Sequence, residues 1–561
     1  MDFKEQIVEL LVKETKLSSS EVGNMLSVPP NPAMGDYAFP CFKLGKNPKE
    51  AAEKLQKQIK LPHFLSKIEV AGPYLNFFLH PLLVVESTLT AILSEREEYG
   101  HQDLGKGKKI VFDFSSPNIA KPFGIGHLRS TVIGNSLCKI YRFLGYEVIG
   151  INHLGDWGTQ FGKLIVAYHK WGKEKELKKE PIKHLLKLYV KFHEEAERDA
   201  SFDDQARAEF KKLEDGNKQS LALWKIFKDL SLAEFERIYE TLGVSFDSLN
   251  GEAFYNTLIE ETLKDLQKAV PTEMSEGALI VNLKKYNLPP LLLRKSNEST
   301  TYHTRDIAAA LYRLRTYHPE KVIYVVGSEQ KLHFQQLFTV LKLGGWNNDS
   351  FVHVDFGLFR FPEGKMSTRK GRVIFLEDVL EKAISQAEKI IEEKNPSLAN
   401  KKEVAKTVGV GAIIFGDLSS DRIRDVDFDW NRMLSFEGET GPYLQYTHAR
   451  ACSILRKAGL KKKKSVKIHF KLLSSPEELA LVKDLSLFPN ILVTAAQSYK
   501  PHHVAQYLIR LAQKFNDFYH SCQVISEDKD LMQARLVLVD AVRQVLANGL
   551  GCLGIEALDE M

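Results

Sequence analysis

The chain has 561 residues, enough for three or four cores at roughly 150 residues per domain. Hydrophobic residues make up 44% of it and charged residues 27%, which excludes a disordered chain, collagen-like repeats and a coiled-coil rod. The 77 Lys and Arg against 72 Asp and Glu leave a net charge of +5, too small to coat nucleic acid by charge alone. The opening, MDFKEQIVELLVKETKL, is charged from its second residue and has no apolar core of a secretory signal, so a cytoplasmic protein is expected. No uninterrupted run of about 18 apolar residues occurs, so no membrane span is expected. The cysteines Cys41, Cys138, Cys452, Cys522 and Cys552 form no C-x-x-C pair. A zinc knuckle or disulfide framework is therefore not suggested, and a reducing compartment is the simpler reading. The cluster Lys457, Lys461, Lys462, Lys463, Lys464 and Lys467 reads equally as a solvated linker or as phosphate contacts.

In chain order, the first elements are an amphipathic helix (Phe3, Ile7, Leu10, Leu11), a Pro-rich stretch (VPPNPAMGDYAFP) and an alternating strand-like segment, KIEVAGPYLNFFL. Together they predict a small α+β domain over 1–105. After GKGKK, KKIVFDF reads as a strand. HLRSTVIGNSLCKIYRFLG has helical spacing (Leu128, Val132, Leu137, Ile140, Leu144) and closes on Gly145, and YEVIGIN is a second strand. Strand, helix and strand make a βαβ unit and hence a parallel sheet. From about 173 to 270 the sequence is charged and helical in period, an insertion whose charges read as solvated faces. Strand-like runs return at EGALIVNL, LLLRK, KVIYVVG and FVHVDFGLFRF, so the sheet is expected to resume within a nucleotide-type domain over 106–400. Beyond that no comparable strand signal occurs. PHHVAQYLIRLAQKFNDFYHSC puts Val504, Leu508, Leu511, Phe515 and Phe518 on one helical face, which predicts a helix bundle over 401–561.

In a βαβ unit, ligands sit between strand and helix, where sheet carboxyl ends meet helix N-termini. Here that segment is SSPNIAKPFGIGH. Gly124 and Gly126 begin a G-x-G pattern, but the third glycine position is Arg129, so a dinucleotide fingerprint is a weak reading, and no P-loop occurs. What remains, Lys121, a glycine-opened backbone and His127 at a helix start, suits a nucleotide phosphate chain. Downstream, EGKMSTRKG places Lys365, Arg369 and Lys370 on a Gly-bounded loop that alone reads as basic surface.

Taken together, SSPNIAKPFGIGHLRST and KMSTRKG resemble the H-I-G-H and K-M-S-K-S signatures of class I aminoacyl-tRNA synthetases, and their surroundings resemble arginyl-tRNA synthetases. NHLGDWGTQFGKL, TYHTRDIAAALYR, GSEQKLHFQQLF, FDWNRMLSFEGETGPYLQYTHAR and the closing LVLVDAVRQVLANGLGCLGIEALDEM extend the match to the last residue. The resemblance implies a Rossmann-type parallel-sheet catalytic domain with a helical insertion, a small α+β N-terminal domain and a C-terminal helix bundle that binds the anticodon. It implies arginine activation by ATP, with Mg2+ accompanying the nucleotide, transfer to tRNA(Arg), a monomer, no structural metal and no membrane. Adenylate formation must stabilise charge on the triphosphate while holding nucleophile and leaving group in line, which cationic side chains on two loops supply.

By the family pattern, Lys121, His127, Lys365 and Arg369 serve catalysis, and Ser116, Gly124, Gly126, His127, Lys365, Met366 and Ser367 hold ATP. Two positions depart from it. Gly124 replaces the first histidine and Thr368 the usual lysine, and Lys121 stands where an upstream lysine takes over that charge. Asp113, Asn118, Tyr302, Asp306 and Gln330 match arginine-holding positions. Asp306 is assigned to the guanidinium, which needs planar acceptors, and Asn118 or Gln330 to the ammonium or carboxylate end. On sequence grounds Asp306 also reads as the N-cap of the helix IAAALYRL. Tyr74 and Asn76 match a tRNA D-loop contact, and Tyr443, Tyr446 and Arg450, at i, i+3 and i+7, match a face near the anticodon. Bare sequence reads Tyr74 and such aromatic stripes as core. Two other readings compete: a class I synthetase of another specificity, and a catalytically silent tRNA-binding paralogue, which Gly124 favours.

Overall fold

The computed structural model describes residues 3–29, 31–297, 299–346, 350–360, 374–427, 429–459 and 468–561. The chain forms two compact units. One comprises Met1–Tyr99, Ala451–Phe488 and Arg510–Leu546, and the other Gly100–Arg450, Pro489–Ile509 and Ala547–Met561.

In the first unit, β1 (Tyr37–Pro40), β2 (Leu65–Ala71) and β3 (Tyr74–Leu79) form an antiparallel sheet of order β1-β3-β2. The opening helix Phe3–Glu14 buries Phe3, Ile7, Val8 and Leu11, the stripe expected of an amphipathic helix. Leu75 and Phe77 of the central strand β3 are fully buried, as is Phe39 of β1.

The second unit is built on a four-stranded, wholly parallel sheet. Its strands β4 (Lys109–Asp113), β5 (Glu147–Ile151), β9 (Lys321–Val325) and β10 (Phe351–Val354) run in the order β10-β9-β4-β5. Ile110, Val111 and Phe112 are almost completely enclosed, which is why β4 reads as a continuous apolar run rather than an alternation. The helix Gly126–Phe143 connects β4 to β5. At Gly134 a Cβ would lie 2.4 Å from Phe114, so glycine is what lets this helix seat against the chain leaving β4.

The helical insertion is present as six helices from Glu174–Lys179 to Ile259–Ala269. One expectation fails after it. EGALIVNL and LLLRK do not rejoin the parallel sheet. β7 (Ala278–Val281) and β8 (Leu291–Arg294) pair with β6 (Glu273–Ser275) in a separate antiparallel sheet, order β6-β7-β8. The reason is local. Glu276 and Gly277 both take positive φ, 50° and 79°, between strands whose register closes at Ser275 and Ala278. That is a two-residue hairpin turn, which makes an antiparallel neighbour, whereas a parallel one needs a long crossover.

Beyond β10 the fold is mainly helical. The helices Leu376–Lys394 and Lys401–Leu418 share a core of Ala387, Ile391, Val404, Ala405 and Val408. In the helix His502–Ser521, Val504, Leu508, Leu511, Phe515 and Phe518 are all fully buried. One helix, Lys529–Leu553, is apolar and long enough by composition to cross a membrane, although the sequence shows no uninterrupted apolar run. Its apolar window is 72% buried inside the protein, the condition of a core helix.

Candidate active site

The segment leaving β4 is held in an unusual backbone. Ser115, Ser116 and Ala120 all have positive φ (70°, 48° and 59°), a conformation that costs energy in non-glycine residues and persists where surroundings impose it. The surroundings are visible. Ser115 N–H donates to Ser130 Oγ at 2.8 Å, Ser116 N–H to Asn152 Oδ1 at 3.1 Å, and Ala120 N–H to Ser231 Oγ at 2.9 Å. A Cβ on Gly155 would come within 2.4 Å of Asn118 Oδ1, so that glycine admits the loop. The result is a fixed rim carrying Ser116, Asn118, Lys121 and His127.

His127 stands in the first turn of the helix Gly126–Phe143, whose N-terminus has no side-chain cap. Uncapped helix starts present peptide N–H groups and a positive dipole end to anions. Burial pushes the His127 imidazole down to about 4, partly opposed by the Gly124 backbone and helped by Lys121. At neutral pH it is therefore an uncharged donor. Its buried Nδ1 has no hydrogen-bond partner among the described residues, which suits a ligand contact. The Gly124 backbone does not take positive φ and lies in a β-bridge opposite Phe375. Lys365, Met366, Ser367, Thr368, Arg369 and Lys370 lie outside the described residues, as do Lys461 to Lys464 and Lys467.

The other half of the site is a network of ionised side chains. The helix Tyr302–Tyr317 begins after Thr301, so Asp306 lies in its second turn and is not an N-cap. His333 Nε2 sits 2.8 Å from Asp306 Oδ2, while His153 Nε2 is 3.8 Å from Oδ1, beyond hydrogen-bond range. Burial disfavours the charge on Asp306, but the His333 hydrogen bond and the charges of His333, His153 and Arg313 hold its carboxyl below the usual value. It stays ionised, with His333 hydrogen-bonded to one oxygen and His153 standing beyond hydrogen-bond range of the other. Near it, Glu252 is raised by burial to about 7, against the pull of Arg305, whose Nε is 3.7 Å away.

Asp113, expected to touch arginine, has its carboxylate against the chain's own Arg313, with Nη1 at 2.8 Å from Oδ2 and both side chains buried. Ser116 Oγ donates to its other oxygen at 2.9 Å. A buried guanidinium needs a counter-ion, and Asp113 supplies it. Arg313 also approaches His153 Nδ1 at 3.3 Å and lies over the ring of Tyr324 at 5.3 Å. Tyr302 is half exposed and stacks on His303 with ring centroids 4.1 Å apart. Gln330 is exposed in the short turn after β9 and precedes the helix Lys331–Leu343 that carries His333. A cavity of about 790 Å³ opens beside this group, lined on one side by Tyr302, His303 and Arg305 and on the other by Arg207 and Lys211 of the insertion.

Sequence reading did not single out His153, Glu252, Arg313 or His333. Two of them carried a signal: His153 follows β5 and His333 follows β9, at the carboxyl ends of parallel strands where ligands collect. Glu252, within the charged insertion, carried none.

The expected tRNA contacts divide. Tyr74 opens β3 with 37% of its surface exposed, its ring edge-on to Phe42 at 5.8 Å, so it is not a core residue. Asn76 is only 3% exposed, and its unpartnered Oδ1 is buried. At that burial it does not present itself to a base, although Tyr74, two residues earlier on the same face, is exposed. In the second unit Tyr446 is exposed, with the Arg450 guanidinium over its ring at 4.9 Å, and Tyr443 is half-buried in the same helix, Gly441–Lys457.

Three family models match most of the chain: "Arginyl tRNA synthetase N terminal domain" over residues 1–79, "tRNA synthetases class I (R), catalytic domain" over 88–430, and "DALR anticodon binding domain" over 444–561. Among curated relatives, the arginine–tRNA ligases of Halothermothrix orenii and Clostridium kluyveri are 47% and 49% identical, each with 100% of both chains covered. The solved Thermus thermophilus arginyl-tRNA synthetase superposes with a TM-score of 0.86 at 26% identity, covering 100% of both chains. With the signature loops, the parallel sheet and this full-length similarity in hand, the chain belongs to the arginyl-tRNA synthetases, a family of class I aminoacyl-tRNA synthetases.

Proposed function

We propose the following assignment of this chain's residues to the arginine–tRNA ligase reaction. An arginine carboxylate oxygen attacks the α-phosphorus of ATP, the bond to pyrophosphate breaks, and arginyl-adenylate forms. The terminal 2′-hydroxyl of tRNA(Arg) then takes the arginyl group and AMP leaves. Asp306 receives the guanidinium, with Glu252 as a second carboxylate nearby. Tyr302 covers the side chain, and Asn118 and Gln330 hold the ammonium and carboxylate ends. Asp113 acts indirectly, by fixing Arg313.

His127, as a neutral donor, works with Lys121, Ser116 and the Gly124–Gly126 backbone on the triphosphate. Lys365, Met366, Ser367 and Arg369 complete the nucleotide contacts, and Mg2+ enters with ATP. Lys121 carries the charge that Thr368 does not. Tyr74 stacks on an unpaired tRNA base, and Tyr443, Tyr446 and Arg450 face the anticodon region. The enzyme works as a cytoplasmic monomer.

The observation that carries the assignment is the ionised Asp306 carboxylate, with His333 at 2.8 Å from one oxygen and His153 at 3.8 Å, beyond hydrogen-bond range, from the other. The test is charging of bulk tRNA with each of the labelled amino acids, with and without ATP. ATP-dependent charging with arginine alone is expected. Charging with another amino acid, or tRNA binding without charging, overturns the assignment.

A further inference from the structure

The chain runs into the second signature from β11 (Phe359–Arg360) and leaves it through Ile374–Leu376. Both flanks are tied to the segment that carries the first signature. On the leaving side the tie is backbone: Ile125 N–H donates to Ile374 O at 3.1 Å, and Leu376 N–H to Phe123 O at 2.9 Å. On the approaching side it is one side chain. Arg129 lies in the helix Gly126–Phe143, just past His127, and is 1% exposed. Its Nη1 donates to Gly357 O at 2.7 Å and to Arg424 O at 2.8 Å, and its Nε to Asp417 Oδ1 at 2.6 Å.

Gly357 and Arg424 immediately precede β11 and β12 (Val426–Asp427), which pair in parallel. At Gly357 a Cβ would fall 2.7 Å from Arg424 O, so this close approach requires glycine. Asp425 completes the joint, accepting from Leu358 N–H at 2.8 Å and from Arg360 at 2.6 Å. Only the planar, forked donors of arginine can hold two carbonyls and a carboxylate in fixed directions at once. The network is not one of maximal stability, because Arg129 Nη2 and Asp417 Oδ2 are buried without partners among the described residues. Buried pairs of that kind contribute little net stability, and geometry is what this one fixes.

We infer that Arg129 is a positioning residue for the ATP half of the reaction, holding the strand that leads into the second signature in register with the helix that carries the first. The inference rests on the ligase assignment above. The measurement is arginine-dependent ATP–pyrophosphate exchange in the presence of tRNA, with ATP and arginine varied separately. Absence of exchange in the unaltered enzyme overturns the ligase assignment itself, before any variant is made.

Given exchange, Arg129→Lys is expected to lower kcat/KM for ATP by about 100-fold, the scale of a small misplacement in a reacting site. The KM for arginine should stay within about twofold, since binding on that side is untouched. Asp425→Ala, at the surface, should show the same ATP-sided loss at smaller size with an unchanged melting temperature. A KM for arginine that rises as much as the ATP term falls, or a lowered melting temperature with the kinetics unchanged, overturns the inference. If Arg129→Lys does not fold, an unchanged ATP term in Asp425→Ala overturns it.

Discussion

The arginine side and the nucleotide side of this site are built by different means. In the proposed assignment, the geometry around arginine comes from charged and imidazole side chains contributed by distant parts of the chain: Asp113 with Arg313, Asp306 with His333, and His153 between them. Around the nucleotide, it comes mainly from backbone: strained φ angles in the β4 loop, an uncapped helix start and a β-bridge at Gly124. A charge network discriminates one side chain from another, because a missing charge leaves its partner buried and unpaired. A backbone cradle serves a ligand that is always the same, and it tolerates substitution. The bridge to Phe375 needs no side chain at Gly124, the position where the H-I-G-H resemblance implies a histidine.

The contrast is broken most sharply at Asp306. Asp306→Asn should fold normally and lose arginine recognition worth about 3 to 5 kcal/mol, the usual cost of removing one partner from a buried charge pair. Steady-state charging checks it, with the loss in the arginine KM and not in the ATP KM. A comparable effect, but on stability, is expected for Arg313→Met. It strands the Asp113 carboxylate and should cost about 3 to 5 kcal/mol by denaturant unfolding, with Asp113→Asn in the same chain recovering part of it.

Glu252 gives the next effect in size and a pH signature. Its folded value is raised from 4.5 to about 7, so its contribution to stability is complete below 4.5 and is lost as pH rises through 7. An arriving guanidinium acts in the opposite sense by favouring the carboxylate. Arginine binding should therefore release a proton near pH 6 and tighten as pH rises through 7. Glu252→Gln should weaken arginine binding by about 1.5 to 3 kcal/mol, the range for a hydrogen bond to a charged group, and flatten that pH dependence. Calorimetry in two buffers of different ionisation enthalpy reads both. The smallest effect belongs to tRNA. Tyr74→Ala should raise the tRNA KM by about 1 to 2 kcal/mol, the worth of one stacked base, and leave the arginine and ATP terms alone.

What the sequence made legible follows the same division. The β4–helix–β5 unit was readable because strand and helix periods change sharply around a loop with its own composition. The helix carrying Asp306 was readable through the period of TYHTRDIAAALYR. Partners far away in sequence were not: nothing near Asp113 announces Arg313. EGALIVNL was correctly a strand but wrongly placed, since an apolar run does not name its neighbour, and the Glu276–Gly277 turn that does was passed over. Asn76 was expected to meet tRNA through the resemblance alone, and a motif match does not reveal that its side chain is buried while Tyr74, two residues earlier, is exposed.

The most direct test of the central claim compares arginine with citrulline, which has nearly the same shape but a neutral urea in place of the guanidinium. The measurement is the ratio of kcat/KM for the two in tRNA charging, by the unaltered enzyme and by Asp306→Asn. A carboxylate-based site predicts a ratio of about 1,000 or more in the unaltered enzyme, corresponding to about 4 kcal/mol, that collapses in the variant through loss of arginine use. An Asp306→Asn enzyme that keeps its arginine KM within about threefold, under 1 kcal/mol, and still rejects citrulline would contradict it.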